Sequence, residues 1–293
     1  MKDEIHKVLL VVNPVAGDKD KSPIIEKVCQ YLRPDMELEI LHTTGTDDVE
    51  NIEKRVQEFG PDRILVLGGD GTIKMVAEAL QDVTDCSIGI LRGGSANGLA
   101  TDLDLPEEND RALITAMGRK TVKLDALRIG DAIGLHISDM GINAELIENY
   151  DKSKVRGHFG YFLNSFPTLS NTEIPYSFTL QTNGKTWETD AIMVAFANSK
   201  KFGTGALVNP NGAIDDGKFE LLIFKKLDPL AIFKTLRGDI EMDDDFIEVV
   251  QTTEATISTE KPVSFQVDGE PMGKIKEVSA KILPAYAEIV IGI

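Results

Sequence analysis

Residues 65–80 read LVLGGDGTIKMVAEAL. A run that is apolar at every position stops at two glycines, an aspartate, a third glycine and a threonine. A helical pattern then begins, with Ile73, Val76, Ala77 and Leu80 on one stripe. A strand without polar alternation is buried on both faces, and a parallel sheet covered by helices requires such strands. The stretch therefore reads as strand, loop and helix, with the most permissive backbone at the carboxyl end of the strand.

The same unit recurs on both sides. KVLLVVN (residues 7–13) is a strand closed by NPVAG, and SPIIEKVCQYL (22–32) has helical spacing, with Ser22 and Pro23 as cap and first turn. MELEILH (36–42) alternates as a strand, DDVENIEKRVQEF (47–59) reads as a helix, and RILVL (63–67) and SIGIL (87–91) are further strands. The alternation predicts an α/β domain over residues 1–125, a parallel sheet with helices on both faces. Beyond it the texture changes. YSFTLQTNGKTWET (176–189) holds two alternating stretches around Asn183-Gly184, a strong hairpin signal. AIMVAFAN, KFELLIF, FIEVVQTTEATIST, PVSFQVDGE and AEIVIGI continue as short strands, with helices expected at residues 228–238 and 160–169. Residues 126–293 thus form an antiparallel β-rich domain, whose last strand could return toward the first.

The chain has 293 residues and a formal net charge of −17, a field that disfavours nucleic acid and broad adhesion to anionic membranes. DKSKVRGH (151–158) is the best local basic candidate for a membrane surface, and it equally suits a solvated turn. No apolar run approaches the ~20 residues of a membrane span, and the N-terminus lacks a secretory cleavage pattern. Two cysteines, Cys29 and Cys86, without metal-like spacing fit a reducing cytoplasm. The four histidines are scattered, and residues 239–248, DIEMDDDFIE, lack calcium-loop spacing.

Four strand-end loops lie on one edge of such a sheet: NPVAG, HTTGT, GGDGT and RGGSANG. They offer backbone donors together with Asn13, Thr43, Ser95 and Asn97 to a single bound molecule, and a triphosphate nucleotide suits them. No GxxxxGK[ST] segment is present, so the common nucleotide-binding loop is excluded. Asp70 repels a bare phosphate. It makes sense as a group that orients Mg²⁺ or takes a proton from a hydroxyl, or else as a helix cap.

VVNPVAG, GGDGTIKMVAEAL, GGSANGLATDLDLP, NPNGAIDDGKFELLIF and FQVDGEP, in this order from residue 11 to residue 271, resemble the signature segments of the soluble diacylglycerol kinase family. That family also includes sphingosine kinases and bacterial lipid kinases. The resemblance implies a nucleotide domain of NAD-kinase type, a C-terminal β-sandwich and an active site in the cleft between them. It implies transfer of the ATP γ-phosphate to a lipid hydroxyl by a cytoplasmic enzyme that touches the membrane peripherally and transiently; a homodimer stays open. By resemblance, Asn13, Pro14, Val15, Ala16 and Gly17 form the first nucleotide-contacting loop, and Thr43 is a further contact. Gly68, Gly69, Asp70, Gly71 and Thr72 form the phosphate loop, and Gly94, Ser95 and Asn97 the next one. Asp125 matches a carboxylate of the active-site magnesium network. Asp268 and Glu270 match the acidic pair, with Glu270 assigned as general base. Asp216, with the carbonyls of Ala213 and Lys218, matches a structural Mg²⁺ site, a turn being the alternative.

The chain also departs from the pattern. Lys74 and Met75 replace an Asn-Glu pair after GGDGT-x, Gly98 replaces an aspartate after Asn97, and Thr204 replaces a glycine. Asp102 is near enough in sequence to compensate for the lost carboxylate. Two other readings follow: a NAD-kinase-like small-molecule kinase on the same loop, and a non-catalytic nucleotide or lipid sensor.

Overall fold

The computed structural model describes residues 5–81, 83, 86–145, 175–202, 206–207, 209, 212–226 and 246–292. The elements in chain order are β1 (Lys7–Val12), α1 (Ser22–Tyr31), β2 (Glu37–His42), α2 (Asp48–Phe59), β3 (Arg63–Gly68), α3 (Asp70–Ala79) and β4 (Ser87–Arg92). There follow α4 (Gly98–Asp102), α5 (Asn109–Ala116), β5 (Lys120–Ile129), β6 (Ala132–Gly134) and β7 (Ile137–Gly141). Then come β8 (Tyr176–Thr182), β9 (Lys185–Ala191), β10 (Met193–Ala197), β11 (Lys201–Phe202) and β12 (Ala206–Leu207). The last are β13 (Phe219–Phe224), β14 (Ile247–Thr252), β15 (Glu254–Val267) and β16 (Glu270–Gly292). Two compact units result, Met1–Leu124 with Pro284–Ile293, and Asp125–Leu283.

In the first unit β2, β1, β3 and β4 lie side by side and parallel. The end of β16 continues the sheet, Ile289 lying parallel to Ile88 of β4. Every residue of β3 is buried, as its unbroken apolar run requires, whereas no residue of β2, at the edge, is buried. Val8, Leu10, Val12, Leu65, Leu67 and Leu91 pack against Val28 of α1 and Ala112, Leu113 and Ala116 of α5. The helix α1 starts at Ser22 rather than being capped by it: Asp20 accepts the Ser22 backbone N–H at 2.9 Å.

The second unit is antiparallel, in the order β14, β13, β10, β7, β15, β16. The β8–β9 hairpin pairs with β15 and turns at Asn183-Gly184, both at positive φ, as that dipeptide permits. Phe178, Phe196, Phe219, Ile257 and Val267 anchor its core. β5, β6 and β7 are not among the strands expected from the sequence, and β7 in addition buries Ser138 and Asp139 among its apolar residues. The helices expected at residues 160–169 and 228–238, the basic stretch 151–158 and Thr204 lie outside the described residues, as does most of the acidic stretch 239–248.

Candidate active site

The carboxyl ends of β1, β3 and β4 carry three loops that touch through their backbones. A Cβ on Gly94 would lie 2.5 Å from the Gly69 Cα, and one on Gly17, at φ +64°, would lie 2.7 Å from the Gly93 carbonyl oxygen. These glycines are therefore needed for the loops to approach one another, before any ligand is considered. Gly93 donates its N–H to the Gly68 carbonyl at 2.8 Å, and Asn13 donates its side-chain amide to the Thr72 hydroxyl at 3.2 Å. Asn97 closes its own loop, accepting from Gly94 N–H and donating to the Gly94 carbonyl, both at 2.9 Å.

The sequence gives no hint of the cation beneath these loops. Lys21 is 6% exposed, and its ammonium donates to the carbonyls of Ala16 and Gly93 at 2.5 and 2.8 Å. It thus ties the first loop to the fourth-strand loop, and burial pulls its pKa below the ordinary lysine value. A lysine one residue ahead of a helix ordinarily reads as surface, so only the packing reveals it.

Asp70 opens α3 but caps a different helix. Its two carboxylate oxygens accept the backbone N–H groups of Gly98 and Leu99 at 2.8 and 3.0 Å, at the start of α4. The GGDGT loop is thereby fastened to the RGGSANG loop, with the carboxylate held in one orientation. Each oxygen keeps a lone pair for a further partner. Gly98, where the resemblance leads one to expect an aspartate, contributes its backbone here. Val15, Gly71 and Ser95 are exposed, Pro14 is exposed beside half-buried Asn13, Ala16 and Gly17, and Met75 is half-buried on α3. Thr43 is buried, its N–H donated to the Val12 carbonyl at 2.9 Å. Asp48 organises the rest of that loop by accepting from Thr44 and Gly45 N–H.

The acidic segment of the second unit is a tight turn. Asp268 and Gly269 have φ of +51° and +89°, the two consecutive positive values of a type I′ hairpin, with Val267 opposite Glu270. The Asp268 carboxylate points back into the unit, accepting the N–H groups of Leu135 and His136 at 2.8 and 2.9 Å. Glu270, one residue past the turn, is exposed. The turn separates the two acids: one holds backbone, the other faces outward.

Asp125, 2% exposed on β5, latches the AIDDG segment. Its N–H bonds to the Ile214 carbonyl and its carboxylate accepts Gly217 N–H, both at 2.7 Å. Within that segment Asp216 is exposed and accepts Lys218 N–H at 3.0 Å, with Gly217 at φ +72°. These are the bonds of an Asx turn. Among the described residues no three acid, histidine or cysteine side chains gather around a point. A cation at Asp216 would accordingly rest on that one carboxylate, backbone carbonyls and water, a donor set Mg²⁺ accepts.

Comparison with known proteins matches residues 7–129 to the diacylglycerol kinase catalytic domain and residues 137–291 to the YegS C-terminal NAD kinase beta sandwich-like domain. The "Probable lipid kinase YegS" of Salmonella schwarzengrund (strain CVM19633) is 26% identical over 285 residues, covering 94% of this chain and 93% of its own. Two structures from Bacillus anthracis str. Sterne share the fold. One, described as a diacylglycerol kinase, superimposes with a TM-score of 0.74 at 21% identity, and the other with 0.79 at 23%. Each comparison covers 99% of this chain and 98% of the other. At those identities the likeness speaks for the fold alone.

Proposed function

The chain belongs to the family that joins a diacylglycerol kinase catalytic domain to a YegS-type C-terminal NAD kinase beta sandwich-like domain, and from that membership we propose that it is an ATP-dependent lipid kinase. The observation that carries the reading is the convergence of the NPVAG, GGDGT and RGGSANG loops at one sheet edge, held by the Asp70 bonds to Gly98 and Leu99. The phosphates of ATP bind backbone N–H groups of these loops, with Thr43 and Asn13 as further contacts. Phosphoryl transfer asks the protein for position and charge neutralisation more than for covalent chemistry. Asp70, already fixed in orientation, would hold the nucleotide's metal through its remaining lone pairs. Mg²⁺ there would supply neutralisation of the charge that develops on the transferred phosphoryl group.

Glu270, exposed and carried on the β15–β16 hairpin, is the group we assign to accept the proton of the acceptor hydroxyl. Asp268 shapes the turn beneath it. Asp125 fastens the AIDDG turn, at which Asp216 and the carbonyls of Ala213 and Lys218 would hold a structural Mg²⁺. The acceptor is a lipid alcohol of the diacylglycerol or sphingosine type, collected by transient contact with a membrane surface. No helix among the described residues is long and apolar enough to cross a membrane.

The test is an acceptor panel: purified protein with labelled ATP and Mg²⁺, offered diacylglycerol and sphingosine in mixed micelles, NAD, and common sugars. Label in a lipid phosphate is expected. Label in NADP or a sugar phosphate would replace the reading with a small-molecule kinase, and ATP binding without any transfer would replace it with a sensor.

A further inference from the structure

Of the buried polar groups, Asp139 stands apart. It sits in the middle of β7 with no exposed surface, and among the described residues no cation balances it. Its carboxylate is surrounded by neutral donors: the side-chain amides of Asn143 and Gln266, and the backbone N–H of Ala144 at 3.0 Å. Burying an acid in this way is costly unless its acceptor capacity is used. Here all three partners are donors, and one of them leads directly to the acidic turn.

Gln266, likewise fully buried, is the neighbour of Asp139 across the β7–β15 pairing. Its Nε2 donates to the Asp139 carboxylate, and its Oε1 accepts the backbone N–H of Gly269 at 2.6 Å. A side-chain amide has no intrinsic preference for which end points where. The ionised carboxylate only accepts, as does the Ile137 carbonyl 3.4 Å from the same Nε2, and together they hold the NH₂ end inward and the oxygen toward Gly269. The Asp268 carboxylate pins the turn from its other side, through Leu135 and His136.

We propose that Asp139, acting through Gln266, is the positioning residue that fixes the Asp268–Gly269 turn and so aims Glu270. The role rests on Glu270 as the base of the proposed kinase, while the brace itself does not. Burial raises the Asp139 pKa to about 6, against the three hydrogen bonds that lower it. At neutral pH the group is therefore ionised and the amide is oriented. Protonation would turn one oxygen into a donor and leave one acceptor, weakening that constraint.

Asp139→Asn tests the brace: the amide keeps one acceptor oxygen, which stays on the Ala144 backbone N–H while Asn143 turns its own unbonded oxygen to the new NH₂, so that NH₂ faces Gln266 where an acceptor stood. The expected result is Gly269 amide hydrogen exchange faster by about tenfold, the scale of one lost hydrogen bond. With ATP and diacylglycerol in mixed micelles, kcat falls by a similar factor while KM for ATP is unchanged. The swap Asp139→Asn/Gln266→Glu returns an acceptor to Gly269 and a donor–acceptor pair across the strands, with Asn143 free to turn its unbonded oxygen inward. It restores both readouts. Unchanged Gly269 exchange in folded Asp139→Asn, or a swap that restores nothing, overturns the proposal. Should Asp139→Asn not fold, Gln266→Glu alone serves. It sets two carboxylates together, so Gly269 exchange must accelerate as pH rises and they ionise, and a pH response equal to the parent's overturns the brace. Exchange requires no substrate, so it decides the brace even if Glu270→Gln retains full turnover, a result that would sink the base assignment instead.

Discussion

Asp70 shows how one side chain serves both the fold and the proposed chemistry. Its carboxylate caps α4, so Asp70→Asn replaces one acceptor with a donor facing an N–H group. Loss of such a cap costs about 1 kcal/mol, or roughly 2–4 °C in Tm for a unit of this size. We expect phosphotransfer to fall at least a hundredfold in a protein that stays folded. A variant with full activity would remove Asp70 from the site. Asp139 makes a separate prediction about stability. Its folded pKa of about 6 lies above the ordinary 3.8, so the folded state holds the proton more tightly than the unfolded chain. The stabilisation is complete below about pH 4 and is lost as pH rises through about 6, a span of about 3 kcal/mol. Urea unfolding of parent and Asp139→Asn should therefore diverge in the variant's favour between pH 4 and pH 7. A constant difference would contradict the buried acid.

The elements were unequally legible in the sequence, for physical reasons. β1, β3 and β4 are apolar at nearly every position, which only a doubly covered strand explains, and their ends located the glycine loops. β7 was not legible, because its buried Ser138 and Asp139 imitate a polar surface. The same blindness hid Lys21 and Gln266, polar residues whose burial is set by partners distant in sequence. The turn at Asp268-Gly269 was open to view as a dipeptide, yet the inward course of the Asp268 carboxylate was not. The loops themselves make a paired prediction. Gly94→Ala sets a methyl 2.5 Å from the Gly69 backbone and must separate the loops. A loss of at least tenfold in affinity for a non-hydrolysable ATP analogue is expected. Gly45→Ala, at φ +86° with nothing within 4 Å, carries backbone strain of about 1 kcal/mol without steric conflict. Calorimetric titration of both separates close approach from strain, and equal losses would refute the distinction.

On the scale of the whole molecule, the chain's end belongs to its beginning. Residues 284–292 complete the first unit, with Ile289 and Val290 fully buried and the Gly292 carbonyl closed over Gly118. Deleting them should unfold the first unit, seen as rapid exchange in β4, and a truncated protein with unchanged β4 exchange would contradict this. The central claim, that the glycine loops bind ATP while Glu270 takes the acceptor's proton, is met most directly by one measurement. It is labelled phosphate transfer from ATP to diacylglycerol or sphingosine micelles by parent and Glu270→Gln, beside the affinity of each for an ATP analogue. The account predicts lipid phosphate from the parent, at least a hundredfold less from the variant, and ATP affinities within about twofold. Equal transfer by both proteins, or loss of nucleotide binding in the variant, would contradict it.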